Sequence, residues 1–188
     1  RTQKMTYIAL FSALAFILML FDFPLPFFPP FLKFDLSDVF IFLSSFVVGP
    51  LGMIAVIVIK NILHWLIRGA ELGLPVGQLA SILSSLAYCL TAYFVLKMNK
   101  TNETKVKDLV LPLIAGTLMM TLVMFIANYY LITPFYFAIG NMPLPENYFG
   151  YMLMYIPFNL IKATIVSIVI LIAFPYVKNI LVNSLKKN

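Results

Sequence analysis

The sequence predicts an all-α integral membrane protein: a six-transmembrane-helix bundle with both termini in the cytoplasm. Of the 188 residues, 62% are hydrophobic and only 11% are charged, and the mean hydropathy is +0.99. Soluble domains are nearer half apolar and a quarter charged. Six long apolar segments divide the chain and favour a single membrane domain, residues 1–188. The predicted helices are 5–21, 35–48, 53–67, 75–96, 109–135 and 148–174.

The distribution of positive charge predicts the orientation of the bundle. A net charge of +6 would suggest nucleic acid as partner in a soluble protein, but here the partner is a lipid bilayer and no nucleic acid is expected. With six helices, Lys33 and Arg68 fall on one side, and because cytoplasmic loops are rich in lysine and arginine, that side is external. The cations predicted on the cytoplasmic side are Arg1, Lys4, Lys97, Lys100, Lys105, Lys107, Lys178, Lys186 and Lys187.

The first helix is near the short limit for crossing about 30 Å of hydrocarbon. It carries Ala9 and Ala13, and small residues four apart allow another helix to approach closely. The same pattern also occurs in internal packing, so a partner is one of two interpretations.

The segment from Phe23 to Phe31, which we call the cap, follows this helix and cannot be a regular helix. It contains four prolines, and proline removes a backbone donor and restricts the residue before it. Its apolar content is unusual for an exposed loop. We therefore expect the cap to fold back over the bundle.

The second and third helices carry most of the early polar residues. Asp35, Ser37 and Asp38 suit either a helix N-terminus or contact with a ligand, and the sequence leaves both open. The sequence from Gly49 to Gly52 predicts a tight turn. Beyond it, Lys60, Asn61 and His64 share one helical face, but the pattern assigns no role to Lys60 or His64.

The last two helices contain the residues most typical of a binding site. Asn128 lies in the fifth helix, and Asn159 and Lys162 lie three apart on one face of the sixth. A lysine at membrane depth costs about 2.5–3.5 kcal/mol on insertion scales. Either a bound polar ligand or a buried partner must offset that cost. Two amides and one lysine suit a planar ligand with carbonyl or imide edges.

Motifs for catalysis are absent from the sequence. It has no nucleophile elbow, no zinc-protease motif and no P-loop, and it has one histidine and one cysteine. We therefore predict no enzyme, no cofactor and no metal site. ATP-driven transport by this chain would need a motor on another chain.

The whole sequence resembles the substrate-binding S components of energy-coupling factor (ECF) vitamin transporters, and the riboflavin-specific members in particular. The resemblance is carried by four motifs: Ala9-x-x-x-Ala13, Lys33-Phe34-Asp35-Leu36-Ser37-Asp38, Asn128-Tyr129-Tyr130 with Pro134, and Pro157-Phe158-Asn159-x-x-Lys162. Many S components share the first motif. The last three are more specific in combination.

The resemblance implies a high-affinity riboflavin-binding subunit of the bacterial plasma membrane with an external pocket under the first loop. It implies that Ala9 and Ala13 face a membrane coupling (T) subunit, which works with two ATP-binding-cassette ATPases. Riboflavin would be cargo and not a cofactor. The candidate riboflavin-binding residues are Asn128, Asn159, Lys162, Asp35, Phe34 and Tyr130.

Two alternatives to riboflavin uptake stay open. One is an S component for another vitamin, such as thiamin or biotin, although Lys162 argues against cationic thiamin. The other is a stand-alone permease or an intramembrane enzyme. FMN is also open, because the sequence shows no arginine cluster or glycine-rich nest for a phosphate, yet Lys33 and Arg68 are external.

Overall fold

The computed structural model describes residues 2–29, 32–70, 73–98 and 104–186, with side chains up to residue 178. The chain is mostly helical. Predictions that involve Arg1, Pro30, Phe31, Lys100, Lys187 or the side chain of Lys186 lie outside this described part. The elements are α1 (Thr2–Leu20), β1 (Phe23–Pro24), β2 (Lys33–Phe34), α2 (Ser37–Arg68), α3 (Val76–Met98), α4 (Val106–Ala127), a π-helical turn (Asn128–Ile132), α5 (Thr133–Ile139), α6 (Tyr148–Leu153) and α7 (Tyr155–Lys186).

Five helical segments within the described residues are long and apolar enough to cross a membrane. They are Thr2–Leu20, Ser37–Arg68, Val76–Met98, Val106–Ile139 and Tyr148–Lys178. The helical membrane class predicted from the sequence is therefore confirmed, and the two short strands are an addition to it.

Helix α2 contains a reversal of the chain where the sequence predicts a turn. Gly49 has φ 75° and ψ −175°, a conformation that favours glycine, and Pro50 follows it. Ser37 and Lys60 are 23 residues apart, yet Lys60 Nζ lies 2.5 Å from Ser37 Oγ. A straight helix would separate them by about 34 Å. The two halves of α2, which correspond to the predicted helices 35–48 and 53–67, therefore lie side by side.

Prolines explain where the last two predicted helices differ from the structure. The predicted helix 109–135 runs from Val106 to Ile139 and widens into the π-helical turn just before Pro134. A proline ring crowds the carbonyl four residues earlier and has no N–H to donate, which a widened turn accommodates. The predicted helix 148–174 divides at Met154, and Pro157 sits in the first turn of α7, where proline is tolerated.

Packing of the long helices forms an apolar core and brings α3 against α4. The core contains Phe42, Ile57, Tyr88, Leu113, Ile170 and Phe174, among others. Gly116 permits the close approach of α4, because a Cβ there would lie 2.8 Å from the carbonyl oxygen of Tyr88.

The cap is closed at its base by the two strands and reaches α7. Strands β1 and β2 pair antiparallel, with Phe23 opposite Phe34. The rings of these two residues lie 5.4 Å apart, and the Phe28 ring lies 5.4 Å from Phe158 in an edge-on contact. The described residues of the cap thus fold over the bundle, as the proline and aromatic content predicts.

Candidate ligand-binding site

Two adjoining cavities, formed by described residues, lie beside the base of the cap. The larger, of about 290 Å³, is lined by many polar side chains, and we call it the polar cavity. The smaller, of about 80 Å³, is lined mostly by aromatic and apolar side chains, and we call it the aromatic cavity. The shared lining residues are Leu32, Gly77, Ala80, Met124, Phe158 and Asn159. The cavities are therefore two compartments of one site.

Charged residues at the cap end of the polar cavity connect α1 to α2 and β2. Arg68 Nη2 donates to the carbonyl oxygen of Leu20 at 2.6 Å and lies 3.9 Å from Asp22. Lys33 Nζ lies 3.7 Å from the same carboxylate. Both cations are substantially exposed, so these pairs contribute little to stability. They lie at the rim of the cavity.

Lys162 has a buried partner in the polar cavity. Its Nζ donates to Asp35 Oδ2 at 3.0 Å, and the two side chains are only 8% and 6% exposed. Of the two explanations that the sequence leaves open, a buried partner is therefore present. A lysine has three N–H donors, so this pairing still leaves donors for a ligand.

The second oxygen of Asp35 is held by the start of α2. Oδ1 accepts from the backbone N–H of Ser37 at 2.9 Å and from the Ser37 hydroxyl. The Ser37 oxygen in turn accepts from Lys60 Nζ, which also contacts Ser81 Oγ at 3.3 Å. Burial opposes ionisation of Asp35, but Lys162, Lys60 and the Ser37 hydroxyl together hold its pKa well below the usual range. Asp35 is therefore an ionised carboxylate that both satisfies the helix start and lines the cavity.

Asp38, one turn further on, has a different environment. It accepts a hydrogen bond from Ser85 Oγ at 2.5 Å and is almost fully buried. It is not among the residues that line either cavity. Of the two acidic residues for which the sequence left capping and ligand contact open, only Asp35 lies at the site.

The aromatic cavity is organised by a chain of amides and hydroxyls. Asn128 Nδ2 donates to the Met124 carbonyl at 2.7 Å, and Asn128 Oδ1 accepts from Thr133 Oγ1 at 3.4 Å. Thr133 is also hydrogen-bonded to the Tyr155 hydroxyl at 2.8 Å. Asn159 Nδ2 donates to the Tyr155 carbonyl at 2.8 Å and lines both cavities. Each amide retains a further N–H as a potential ligand contact.

Two of the candidate residues lie away from the cavities. Phe34 is buried against Phe23 within the hairpin, because successive side chains of an extended strand point to opposite sides and Asp35 takes the cavity side. Tyr130 is 76% exposed and packs on the ring of Tyr129. Neither is among the described residues that line the cavities, so the geometry does not support the ligand contacts expected of them.

The small residues of α1 also lie outside the site. Ala9 and Ala13 are exposed, whereas Phe11, Ser12 and Ala15 of the same helix are buried. The alanine face is therefore directed away from the bundle.

His64 and Gln78 are site residues that sequence reasoning did not assign. Gln78 Nε2 contacts His64 Nδ1 at 3.2 Å and donates to the Gly69 carbonyl at 3.1 Å. This contact makes Nδ1 the acceptor and places the proton on Nε2. Within the described part of the chain, His64 Nε2 and Asn61 Oδ1 are buried without a partner. The helical face shared by Lys60, Asn61 and His64 could have indicated that His64 belongs to the site. No pattern in the sequence pointed to Gln78.

Comparisons with known proteins agree on a family. Residues 3–174 match the family described as "ECF transporter, substrate-specific component". Riboflavin transporter RibU of Staphylococcus aureus (strain TCH60) is 36% identical over 183 residues, which cover 96% of this chain and 93% of that protein. Riboflavin transporter FmnP of Bacillus subtilis (strain 168) is 36% identical over 177 residues, 93% of this chain and 91% of that protein.

A solved structure has the same fold. It is described as the S component of a bacterial ECF transporter, is 34% identical, and superposes with a TM-score of 0.80 over 96% of this chain and 98% of that one. The chain is thus a multi-pass protein of a bacterial membrane and a transport component rather than an enzyme. With its helical bundle, its capped site and a family match that spans most of its length, the chain belongs to the substrate-specific components of ECF transporters.

Proposed function

We propose that the chain is the riboflavin-binding S component of an ECF-type, ATP-driven uptake transporter and captures riboflavin on the external side. The observation that carries the proposal is the joining of an aromatic cavity to a polar one at Asn159. Riboflavin combines a flat ring system, one polar ring edge and a hydroxylated chain, so it needs both kinds of lining. Two relatives that align over most of the chain are named riboflavin transporters.

The polar edge of the flavin ring is assigned to three side chains. Lys162 and Asn159 share one face of α7, and Asn128 approaches from the end of α4. All three are buried cavity residues with donors to offer. A cationic vitamin such as thiamin fits less well, because both carboxylates that line the polar cavity, Asp22 and Asp35, already have cationic partners.

The proposed topology has one membrane domain with six spans, both termini in the cytoplasm and the cap outside. The spans are α1, the two halves of α2, α3, α4 with α5, and α6 with α7. The reversal at Gly49 supports counting α2 twice. Lys33 and Arg68 lie at the cap end, while Lys4, Lys97 and Lys107 flank the other helix ends, in agreement with the excess of positive charge expected in the cytoplasm.

The proposed partners are one membrane coupling (T) subunit and two ATP-binding-cassette ATPases. The exposed face of Ala9 and Ala13 is assigned to the T subunit, since small residues allow close helix contact. Riboflavin is cargo, and no cofactor is assigned to this chain.

The decisive experiment identifies the ligand of the purified full chain. The protein is expressed in bacteria, purified in detergent, and its co-purifying small molecule is identified by mass spectrometry. Riboflavin, thiamin and biotin are then titrated in parallel against ligand-free protein. We expect saturable binding of riboflavin alone. Binding of thiamin or biotin in place of riboflavin would establish the second candidate, an S component for another vitamin.

A further inference from the structure

We infer that Asp35 is a positioning residue, which holds the Lys162 ammonium group in place and acts on the ligand through that lysine instead of touching it. The inference rests on the proposed function, because riboflavin is the ligand used to test it. It also gives the motif Lys33-Phe34-Asp35-Leu36-Ser37-Asp38 a physical role.

Three of the roughly four acceptor sites of the Asp35 carboxylate are already engaged by protein donors. Lys162 occupies Oδ2, and the N–H and O–H groups of Ser37 occupy Oδ1. An ionised carboxylate can only accept hydrogen bonds, and these three donors come from α7 and the start of α2. A direct ligand contact could use only the one remaining acceptor site, on Oδ2 beside the Lys162 ammonium group.

The ion pair fixes a side chain that is otherwise flexible. A lysine side chain has four rotatable bonds and loses considerable rotamer entropy when it is immobilised. Because Asp35 already holds Nζ, the ligand does not have to order Lys162 when it binds. The remaining donors of Lys162 share the polar cavity with Asn159, which is one helical turn away on the same face.

The charges around Lys162 favour a neutral ligand edge. Two buried carboxylates, Asp35 and Asp38, lie in this region with two buried lysines, Lys60 and Lys162. The formal charge of these four groups sums to zero. A neutral carbonyl can therefore accept from Lys162 without leaving a buried charge unbalanced, whereas an anion would add one.

The Asp35 carboxylate also links Lys162 to the base of the cap. Asp35 directly follows β2, the strand that closes the cap, and Lys162 lies on α7. A second link between the cap and α7 is the contact of Phe28 with Phe158. Loosening of the Asp35 link should therefore speed ligand release as well as reduce the order of Lys162.

A double-mutant cycle on the full-length chain tests the inference. Riboflavin affinity is measured for the wild type, Asp35→Asn, Lys162→Met and the double variant. We expect each single variant to bind at least about tenfold more weakly, and the double variant to bind within about threefold of Lys162→Met alone, because two residues that act through one contact are not additive. Losses that multiply in the double variant, or an Asp35→Asn protein with wild-type affinity, would overturn the positioning role.

Two further variants separate positioning from folding. Asp35→Glu keeps the charge and should recover most of the affinity that Asp35→Asn loses, together with the absorption spectrum of the bound flavin. Asp38→Asn is the matched control, since Asp38 is equally buried at the start of α2 but pairs with Ser85 outside the cavities. It removes a nearby negative charge but keeps the Lys162–Asp35 contact, so it should lower affinity by less than Asp35→Asn does, and a loss equal to that of Asp35→Asn would overturn the inference.

The cycle stays informative if Asp35→Asn does not fold. The double variant removes both charges of the pair, which buried ion pairs tolerate better than loss of one partner. The riboflavin affinity of the double variant is then compared only with that of Lys162→Met. Equal affinities support the inference, and a weaker affinity of the double variant overturns it. Failure of the wild-type chain to bind riboflavin at all would instead reject the proposed function.

Discussion

The polar cavity and the aromatic cavity meet at Phe158 and Asn159, yet they hold their side chains in place by different means. In the polar cavity, ion pairs and charge-assisted hydrogen bonds fix a few groups, above all Lys162 on Asp35. In the aromatic cavity, neutral amides, hydroxyls and ring contacts together hold the side chains in place. Ligand affinity should therefore depend steeply on single residues in the polar cavity and gradually on ring area in the aromatic cavity.

Loss of the lysine should have the largest effect. Lys162→Met removes a charged hydrogen bond worth about 1.5–3 kcal/mol, which corresponds to about tenfold to hundredfold weaker riboflavin binding. It also leaves Asp35 buried without its main partner, so the free energy of unfolding should fall by about 3–5 kcal/mol. Ligand titration and thermal unfolding measure the two effects.

The control for this change is Lys107→Met, since Lys107 is exposed on α4. It should alter neither quantity. A folded Lys162→Met protein with unchanged affinity would contradict the assignment of Lys162 to the ligand and would remove the contrast between the cavities.

A smaller effect is expected at His64 and should depend on the ligand chosen. His64→Phe keeps a ring in the polar cavity but removes the Nε2–H donor. Loss of one neutral hydrogen bond, about 0.5–1.5 kcal/mol, should weaken riboflavin binding by about twofold to tenfold. Because we expect the hydroxylated chain of riboflavin to lie beside His64 in the polar cavity, lumiflavin, which lacks that chain, should bind equally to the wild type and to His64→Phe. Equal losses of affinity for both flavins would show that His64 does not contact the hydroxylated chain of riboflavin.

The cap should influence release more than capture. Phe28→Ala removes the ring that contacts Phe158, and aromatic pairs contribute about 0.5–1.5 kcal/mol beyond the area they bury. We expect dissociation of riboflavin to accelerate by about twofold to tenfold with little change in association, since affinity differences usually appear in dissociation rates. Stopped-flow measurement of both rates checks this. Equal changes in the association and dissociation rates would argue that the cap does not close over the ligand.

The smallest effect on affinity is expected outside both cavities. Ala9→Leu and Ala13→Leu place bulk on the exposed face of α1, so riboflavin binding in detergent should remain within about twofold of the wild type while uptake in cells falls. Tyr130→Ala is the companion variant and should change neither property. A parallel loss of binding and uptake in the alanine variants would assign their face to the fold instead of a partner.

Local patterns predicted much of this architecture. The spacing of Asn159 and Lys162, the prolines of the cap and the turn at Gly49 each follow from rules that act over a few residues. Phe34 and Tyr130 became candidates through the resemblance, and a motif does not say which way each of its residues faces: Phe34 alternates with Asp35, and Tyr130 follows Asn128 around a widened helical turn. The partner of Lys162 was beyond such rules, since Asp35 lies far away along the chain.

That distance, 127 residues between Asp35 and Lys162, has a consequence for how the protein is made. The chain is synthesised from its N-terminus, so Asp35 reaches the membrane long before α7 has left the ribosome. Until then its carboxylate has no Lys162 to pair with and must stay hydrated or take up a proton. The binding site is therefore completed only when α7 has been inserted. A chain that stops short of α7 has no ion pair and no complete cavity, and flavin binding reports that synthesis has reached α7.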